Sequence, residues 1–206
     1  PPRVSMAALV VDNATLEVRA YAGSADFSDA ERFSHVDMVQ GRRSPGSALK
    51  PFLYGLALDE GLIHSESLLS DVPQSFGGYQ PGNFQASFSG PVGATEALQK
   101  SLNVPAVEVL DRLGPQRFVA LLRRGGLKVD LPRGAEPNLS VILGGVAVNL
   151  EGMVGAYTAF ARVGVAGRPR YTAGAPVEEA RLMSEGAAFI VREILDATRA
   201  EAGPEL

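Results

Sequence analysis

Arg43-Ser44-Pro45-Gly46-Ser47-Ala48-Leu49-Lys50-Pro51-Phe52-Leu53-Tyr54-Gly55-Leu56-Ala57 begins with a Ser-Pro-Gly break and runs into apolar residues at Leu49, Phe52, Leu53, Leu56 and Ala57. Spacings of three and four place those side chains on one helical stripe, and Gly61 closes the pattern. Ser47 stands at the N-cap or in the first turn. Lys50, three residues on, shares its face and can approach hydrogen-bonding distance. A serine hydroxyl becomes a good nucleophile only when a base takes its proton, and a lysine amine can do so where burial favours its neutral form. Leu49, Phe52 and Leu53 would supply such surroundings. The helix N-terminus adds partial positive charge and free N–H groups where an acyl oxyanion would develop. The bland alternative is that Ser47 only caps the helix and Lys50 is solvated, which is the usual fate of a chance S-x-x-K. Against it, only three lysines (Lys50, Lys100, Lys128) occur beside sixteen arginines, and a guanidinium cannot accept a proton near neutral pH.

Upstream, Met6 to Val11 is an apolar run, Asp12-Asn13 a turn signal, and Leu16, Val18 and Ala20 alternate with polar neighbours. This reads as a β-hairpin with one buried face. Asp26 to Arg43 is polar and mixed, a loop. Downstream, Asp71 to Gly93 lacks periodicity and is rich in Pro, Gly and Ser, which predicts a long ordered loop. Helices are predicted near 95–102, 105–113, 116–125, 150–163 and 184–199, and no strand is read beyond Gly23. A lone two-stranded hairpin is marginal in water, so either helices cover it or further strands complete its sheet. The 206 residues end just after a helix and a Gly-Pro pair, which is the expectation of a domain's front part: 1–45 hairpin and loop, 46–183 mostly helical lobe, 184–206 a helix leading to an absent strand.

Composition narrows the function classes. With 46% hydrophobic and 20% charged residues the chain balances as a globular protein, and a net charge of −4 gives no overall pull toward nucleic acid or an anionic bilayer. No cysteine means no disulfide, thiolate metal site or cysteine nucleophile, and two histidines (His35, His64) cannot alone build a zinc site. No metal or organic cofactor is expected. The apolar runs are too short to cross a bilayer, so no membrane contact is expected of this chain. Gly41 to Ser47 has the glycine spacing of a phosphate loop, but serine stands where the lysine is required.

A second candidate is Ser101-Leu102-Asn103, at a predicted helix end. A hydroxyl and a carboxamide two residues apart there can point into one cleft as a proton relay and a clamp on a substrate amide, or can simply cap the helix.

Four blocks then carry a resemblance that spans nearly the whole chain: Arg43 to Phe52, Gly78-Tyr79-Gln80-Pro81-Gly82-Asn83-Phe84, Ala97 to Val107 around Ser101-Leu102-Asn103, and Leu143-Gly144-Gly145. In order and in kind they closely resemble the transpeptidase domain of class A penicillin-binding proteins. The resemblance implies an α+β penicillin-binding/serine β-lactamase-like fold, a helical lobe beside an antiparallel sheet of which this chain supplies the first hairpin. It implies a serine D,D-transpeptidase acting on peptidoglycan stem peptides that end in D-Ala-D-Ala, and acylated by β-lactam antibiotics. By carry-over, Ser47 attacks, Lys50 takes its proton, Ser101 relays a proton to the leaving D-alanine and Asn103 holds the substrate backbone. The family's set of motifs also includes K-[ST]-G, which none of the three lysines begins. The missing strands are therefore expected from a continuation of the chain or a second chain, and this chain alone is expected to be weakly active or inactive. A periplasmic location is implied, with an inner-membrane anchor in the full-length protein. Two alternatives stay open: a non-catalytic β-lactam or muropeptide sensor or scaffold, and a serine β-lactamase, for which Glu96 and Glu151 are the nearest candidate carboxylates.

Overall fold

In the computed structural model, which describes residues 5–26, 28, 35–83 and 87–201, helix α1 (Lys50–Asp59) grows out of a 3-10 turn at Gly46–Leu49. Every residue of α1 from Lys50 to Ala57 is buried, so the helix is covered all round rather than along a stripe. Such a helix sits at the centre of a core. Around it lie α2 (Ala94–Gln99), α3 (Asn103–Leu113), α4 (Pro115–Arg124) and α6 (Glu185–Glu201). Gly55 permits the closest of these approaches: a Cβ there would lie 2.8 Å from Met183 Sδ, in the segment that leads into α6. Helix α5 (Leu150–Ala161) joins this core through a cluster of Phe52, Tyr157 and Phe160, with ring centroids 4.9 to 5.6 Å apart.

Strands β1 (Ala8–Val11) and β2 (Val18–Ala22) form the predicted antiparallel hairpin, with Leu9 opposite Tyr21 and a bulge at Val10/Val11. Leu9 and Val11 are half-buried and alternate with exposed neighbours, but β2 is exposed from Arg19 to Ala22, so the expected buried face is realised on one strand only. What anchors the hairpin is its turn. Leu16, fully buried at a φ of +61°, packs against Gly167, where a Cβ would come within 2.4 Å of its Cδ1. Arg170 then bonds Leu16 O through its N–H (2.7 Å), receives Val18 N–H (2.9 Å), and donates from its guanidinium to Thr15 O. Helix α5 lies against β1, which answers the stability problem of an isolated pair.

Two further antiparallel pairs lie beyond Gly23, where the sequence reading finds none. Strands β3 (Leu68–Asp71) and β4 (Gly90–Gly93) pair with Leu69 opposite Val92, and β5 (Val165–Gly167) pairs with β6 (Glu179–Arg181). The predicted loop of 71–93 is thus held at both ends by a ladder. Inside it Phe76 and Tyr79 exchange both backbone hydrogen bonds across Gly77-Gly78, whose φ values of +57° and +92° suit a tight hairpin turn. Phe84 of the quoted 78–84 block lies outside the described residues.

Candidate active site

The turn that presents Ser47 is built by close backbone packing. Arg43 exchanges both backbone hydrogen bonds with Val148 (2.8 and 2.9 Å), and Ser44 Oγ donates to Gly144 O at 2.8 Å while accepting Gly46 N–H. Gly144, at a φ of +99°, is pressed so tightly here that a Cβ would lie 2.3 Å from Ser44 Oγ and 3.1 Å from Gly46 N. Gly145 likewise leaves room for Ser140. The Gly-Gly pair therefore permits close approach and positions the turn. On the other side Tyr157 Oη donates to Ala48 O at 2.9 Å, and burial pushes this phenol up to about 12, so the hydroxyl stays protonated through the neutral range.

Ser47 itself is exposed. Its hydroxyl caps neither the 3-10 turn, whose N-cap is Pro45, nor α1, whose N-cap is Leu49. Among the described residues neither its Oγ nor its N–H has a hydrogen-bond partner. Pro45 and Ala48, on either side of it, border an apolar groove of about 750 Å3 that continues along Met153 and Tyr157.

Lys50 is 1% exposed, so the solvated reading of its side chain fails. Its Nζ donates to Ser101 O at 2.6 Å and to Asn103 Oδ1 at 2.8 Å, with Ser101 Oγ at 3.2 Å. All three partners are neutral. Burial lowers its pKa from the ordinary 10.5 to about 8, which leaves about a tenth of the amine neutral at pH 7. The expected direct hydrogen bond from Ser47 to Lys50 is not among those formed; the amine is turned to the 101–103 segment instead. Catalytic hydrogen bonds are often loose in a free enzyme and close only around substrate.

The 101–103 segment has its own local logic. Helix α2 stops at Gln99, short of the predicted 102, because the chain turns left-handed at Ser101 with a φ of +52°. Leu102 N–H bonds Ala97 O and Ser101 N–H bonds Leu98 O, the paired pattern of a Schellman motif. That position normally takes glycine, and a serine there costs on the order of 1 kcal/mol. Ser101 is exposed and its hydroxyl does not cap α3, whose N-cap Leu102 makes no side-chain bond. Asn103, the first residue of α3, accepts Lys50 Nζ on Oδ1 and donates one Nδ2 hydrogen to Gly82 O at 2.8 Å, and its N–H donates to Asn83 Oδ1 at 3.0 Å.

The fold thus gathers Lys50, Ser101 and Asn103 by direct hydrogen bonds, with Ser47 one turn before Lys50. Asn83 ties the loop to Asp71, Ser87 and Asn103. Asp71, fully buried and bonded to Asn83, gave no signal in the sequence, where a carboxylate after Leu68-Leu69-Ser70 looks like any turn residue. The two carboxylates weighed for a β-lactamase are engaged elsewhere: Glu96 with Lys100, and Glu151 with Gln40, Tyr171 and Arg168. His35 and His64 are exposed. Arg123 donates to Val129 O, and Arg170 ties down the hairpin. Among the described residues no group of His, Cys, Asp or Glu could hold a metal ion, and no helix is long and apolar enough to cross a membrane.

Residues 6–203 match the family described as penicillin binding protein transpeptidase domain. The chain is 58% identical over 195 residues to penicillin-binding protein 1C of Escherichia coli, covering 95% of this chain and 25% of that protein. It is 33% identical over 170 residues to penicillin-binding protein 1A of Pseudomonas aeruginosa, covering 79% of this chain and 20% of that one. The chain therefore spans a quarter or less of these relatives' length. Among solved structures, the PonA1 protein of Mycobacterium tuberculosis in complex with penicillin V shares the fold, with a TM-score of 0.77 at 23% identity over 94% of this chain and 56% of that one.

Proposed function

The chain belongs to the penicillin-binding protein transpeptidase family, and from that premise we propose that it works as an acyl-serine D,D-transpeptidase, with Ser47 as nucleophile and Lys50 as its base. The observation that carries this reading is the buried Lys50 amine, held by neutral groups one turn from an exposed serine hydroxyl that has no structural bond to break. In its neutral form Nζ has two hydrogens, which serve Ser101 O and Asn103 Oδ1. Its lone pair is then left to accept a hydroxyl proton.

In the forward reaction Lys50 takes the Ser47 Oγ proton as Oγ attacks the carbonyl carbon of the penultimate D-alanine. The developing oxyanion accepts a hydrogen bond from Ser47 N–H, one of the donors such a site requires. Collapse breaks the peptide C–N bond. Lys50 returns the proton through Ser101 Oγ to the departing D-alanine nitrogen, leaving an ester on Ser47. An amine of a second stem peptide then attacks that ester by the reverse proton path. The second Nδ2 hydrogen of Asn103 would hold a substrate backbone carbonyl. A β-lactam would enter by the same first step, its ring C–N bond opening to an ester on Ser47. A stem-peptide substrate would have the protein work on the periplasmic side of the inner membrane, a location that family membership supports.

The test is intact mass after incubation with a penicillin. The complete domain, with the strand that carries K-[ST]-G, is expected to gain one penicillin mass and its Ser47→Ala variant none; a gain in both, or in neither with that domain folded, contradicts the nucleophile assignment. Release of D-alanine from a D-Ala-D-Ala peptide, lost in Ser47→Ala, separates a transpeptidase from a sensor that only binds.

A further inference from the structure

Beyond the serine, lysine and carboxamide of the site lies a chain of hydrogen bonds that runs inward from Asn103. Asp71, at the end of β3 and fully buried, accepts Asn83 Nδ2 on Oδ1 at 2.7 Å and Ser89 N–H on Oδ2 at 2.8 Å. The other Asn83 amide hydrogen goes to Ser87 O at 3.1 Å. With two acceptors on that side, Asn83 must turn its NH2 toward Asp71 and its oxygen away, where Oδ1 accepts Asn103 N–H at 3.0 Å. The preceding residue of the loop, Gly82, takes one hydrogen of Asn103 Nδ2 on its carbonyl oxygen, and this leaves Asn103 Oδ1 facing Lys50 Nζ. Asp71 thus sets the polarity of Asn83 directly, and Asn83, by holding the Asn103 backbone N–H, keeps the adjoining Gly82 O against Asn103 Nδ2, which in turn sets the polarity of the second carboxamide.

Resting on the acyl-serine reading above, we propose that Asp71, acting through Asn83, is a positioning residue for acyl transfer: it locks the two carboxamides so that Asn103 offers Lys50 an acceptor and Ser101 O is held against the same amine. A buried carboxylate with both oxygens accepting is costly to place in a small core and is not needed to pair β3 with β4, whose ladder is backbone. Its use is orientation. Networks of this kind lose more than one bond's worth when a member is made ambiguous.

The experiment uses Asp71→Asn, which keeps the shape but can either donate or accept, and Asn83→Ala, which removes the link from a half-buried loop position. Saturation kinetics of acylation by a fluorescent penicillin separate the binding constant from the chemical rate, with thermal unfolding followed in parallel. The chemical rate is expected to fall about tenfold in each variant with binding unchanged, the double variant is expected to be no slower than Asn83→Ala, and neither is expected to slow Lys50→Met further. Unchanged chemical rates, a loss confined to binding, or an equal further loss in Lys50→Met would overturn the proposal. Should Asp71→Asn fail to fold, Asn83→Ala alone decides, since it breaks the same path. If the wild-type protein is labelled elsewhere than Ser47, it is the acyl-serine reading that fails, and that result is separate from any of these.

Discussion

Lys50→Met is expected to leave the protein folded and to slow acylation on the order of a thousandfold, the usual size of a lost general base. The two halves of that expectation come from one energy balance. Lowering the pKa from 10.5 to about 8 means that the buried ammonium costs the fold about 3 kcal/mol at neutral pH. Because the folded value lies below the unfolded one, the cost is complete below about pH 8, fades as pH rises from there, and is gone above 10.5. Methionine fills nearly the same space without that cost. It leaves Ser101 O and Asn103 Oδ1 without their donor, at about 1 to 3 kcal/mol each, so the gain and the loss roughly cancel. Urea unfolding at pH 7 and pH 10 checks the balance, since raising the pH should stabilise the wild-type protein relative to the variant. A Lys50→Met protein that folds and acylates at the normal rate would remove Lys50 as the base.

Gly144→Ala is expected to lose about 3 kcal/mol of stability or, where the turn shifts to accommodate it, about a hundredfold in acylation rate. The added Cβ meets Ser44 Oγ at 2.3 Å and the Gly46 backbone at 3.1 Å, and a φ of +99° is itself unfavourable for alanine. Either the Arg43 to Gly46 segment moves off Gly144, carrying Ser47 with it, or the fold absorbs the clash. Gly46→Ala is the control. Gly46 also has a positive φ, +53°, but nothing lies within 4 Å of its Cβ, so only the conformational cost of about 1 kcal/mol applies. Adding Ser44→Ala to Gly144→Ala removes the closest clash and should recover part of the loss. Circular dichroism melts and penicillin labelling of the four proteins give both readings, and equal effects at Gly144 and Gly46 would show that close packing behind the serine is unimportant.

What could be read from the sequence follows the range of the interactions involved. Ser47 and Lys50 are three residues apart on one continuous helical path, so their proximity is local and legible. Apolar neighbours for Lys50 could be read from Leu49, Phe52 and Leu53, but its full burial could not: that depends on α2, α3 and α6 closing around α1, which a periodicity of apolar residues on one face does not reveal. The strands β3 and β4 escape notice because the partner reads Gly90-Pro91-Val92-Gly93, poor in β propensity, and pairs across some twenty residues of loop. Ser101 misled the boundary of α2, since a serine at a left-handed helix end gives none of the signal a glycine would. The hairpin was legible as a hairpin, but its anchor through Leu16, Gly167 and Arg170 joins residues more than 150 positions apart. Asp71 was invisible for the same reason. Its partners are an asparagine and a serine whose meaning appears only when the 71–93 loop is folded back upon α3.

The rate of Ser47 acylation as a function of pH tests the central claim most directly, because the groups bonded to Lys50 do not titrate in the neutral range. The rate should rise about tenfold per pH unit up to an inflection near 8 and then level off, as the buried amine gives up its proton. A rate that is flat from about pH 6 to 9, or that keeps climbing toward the ordinary lysine value of 10.5, would contradict it.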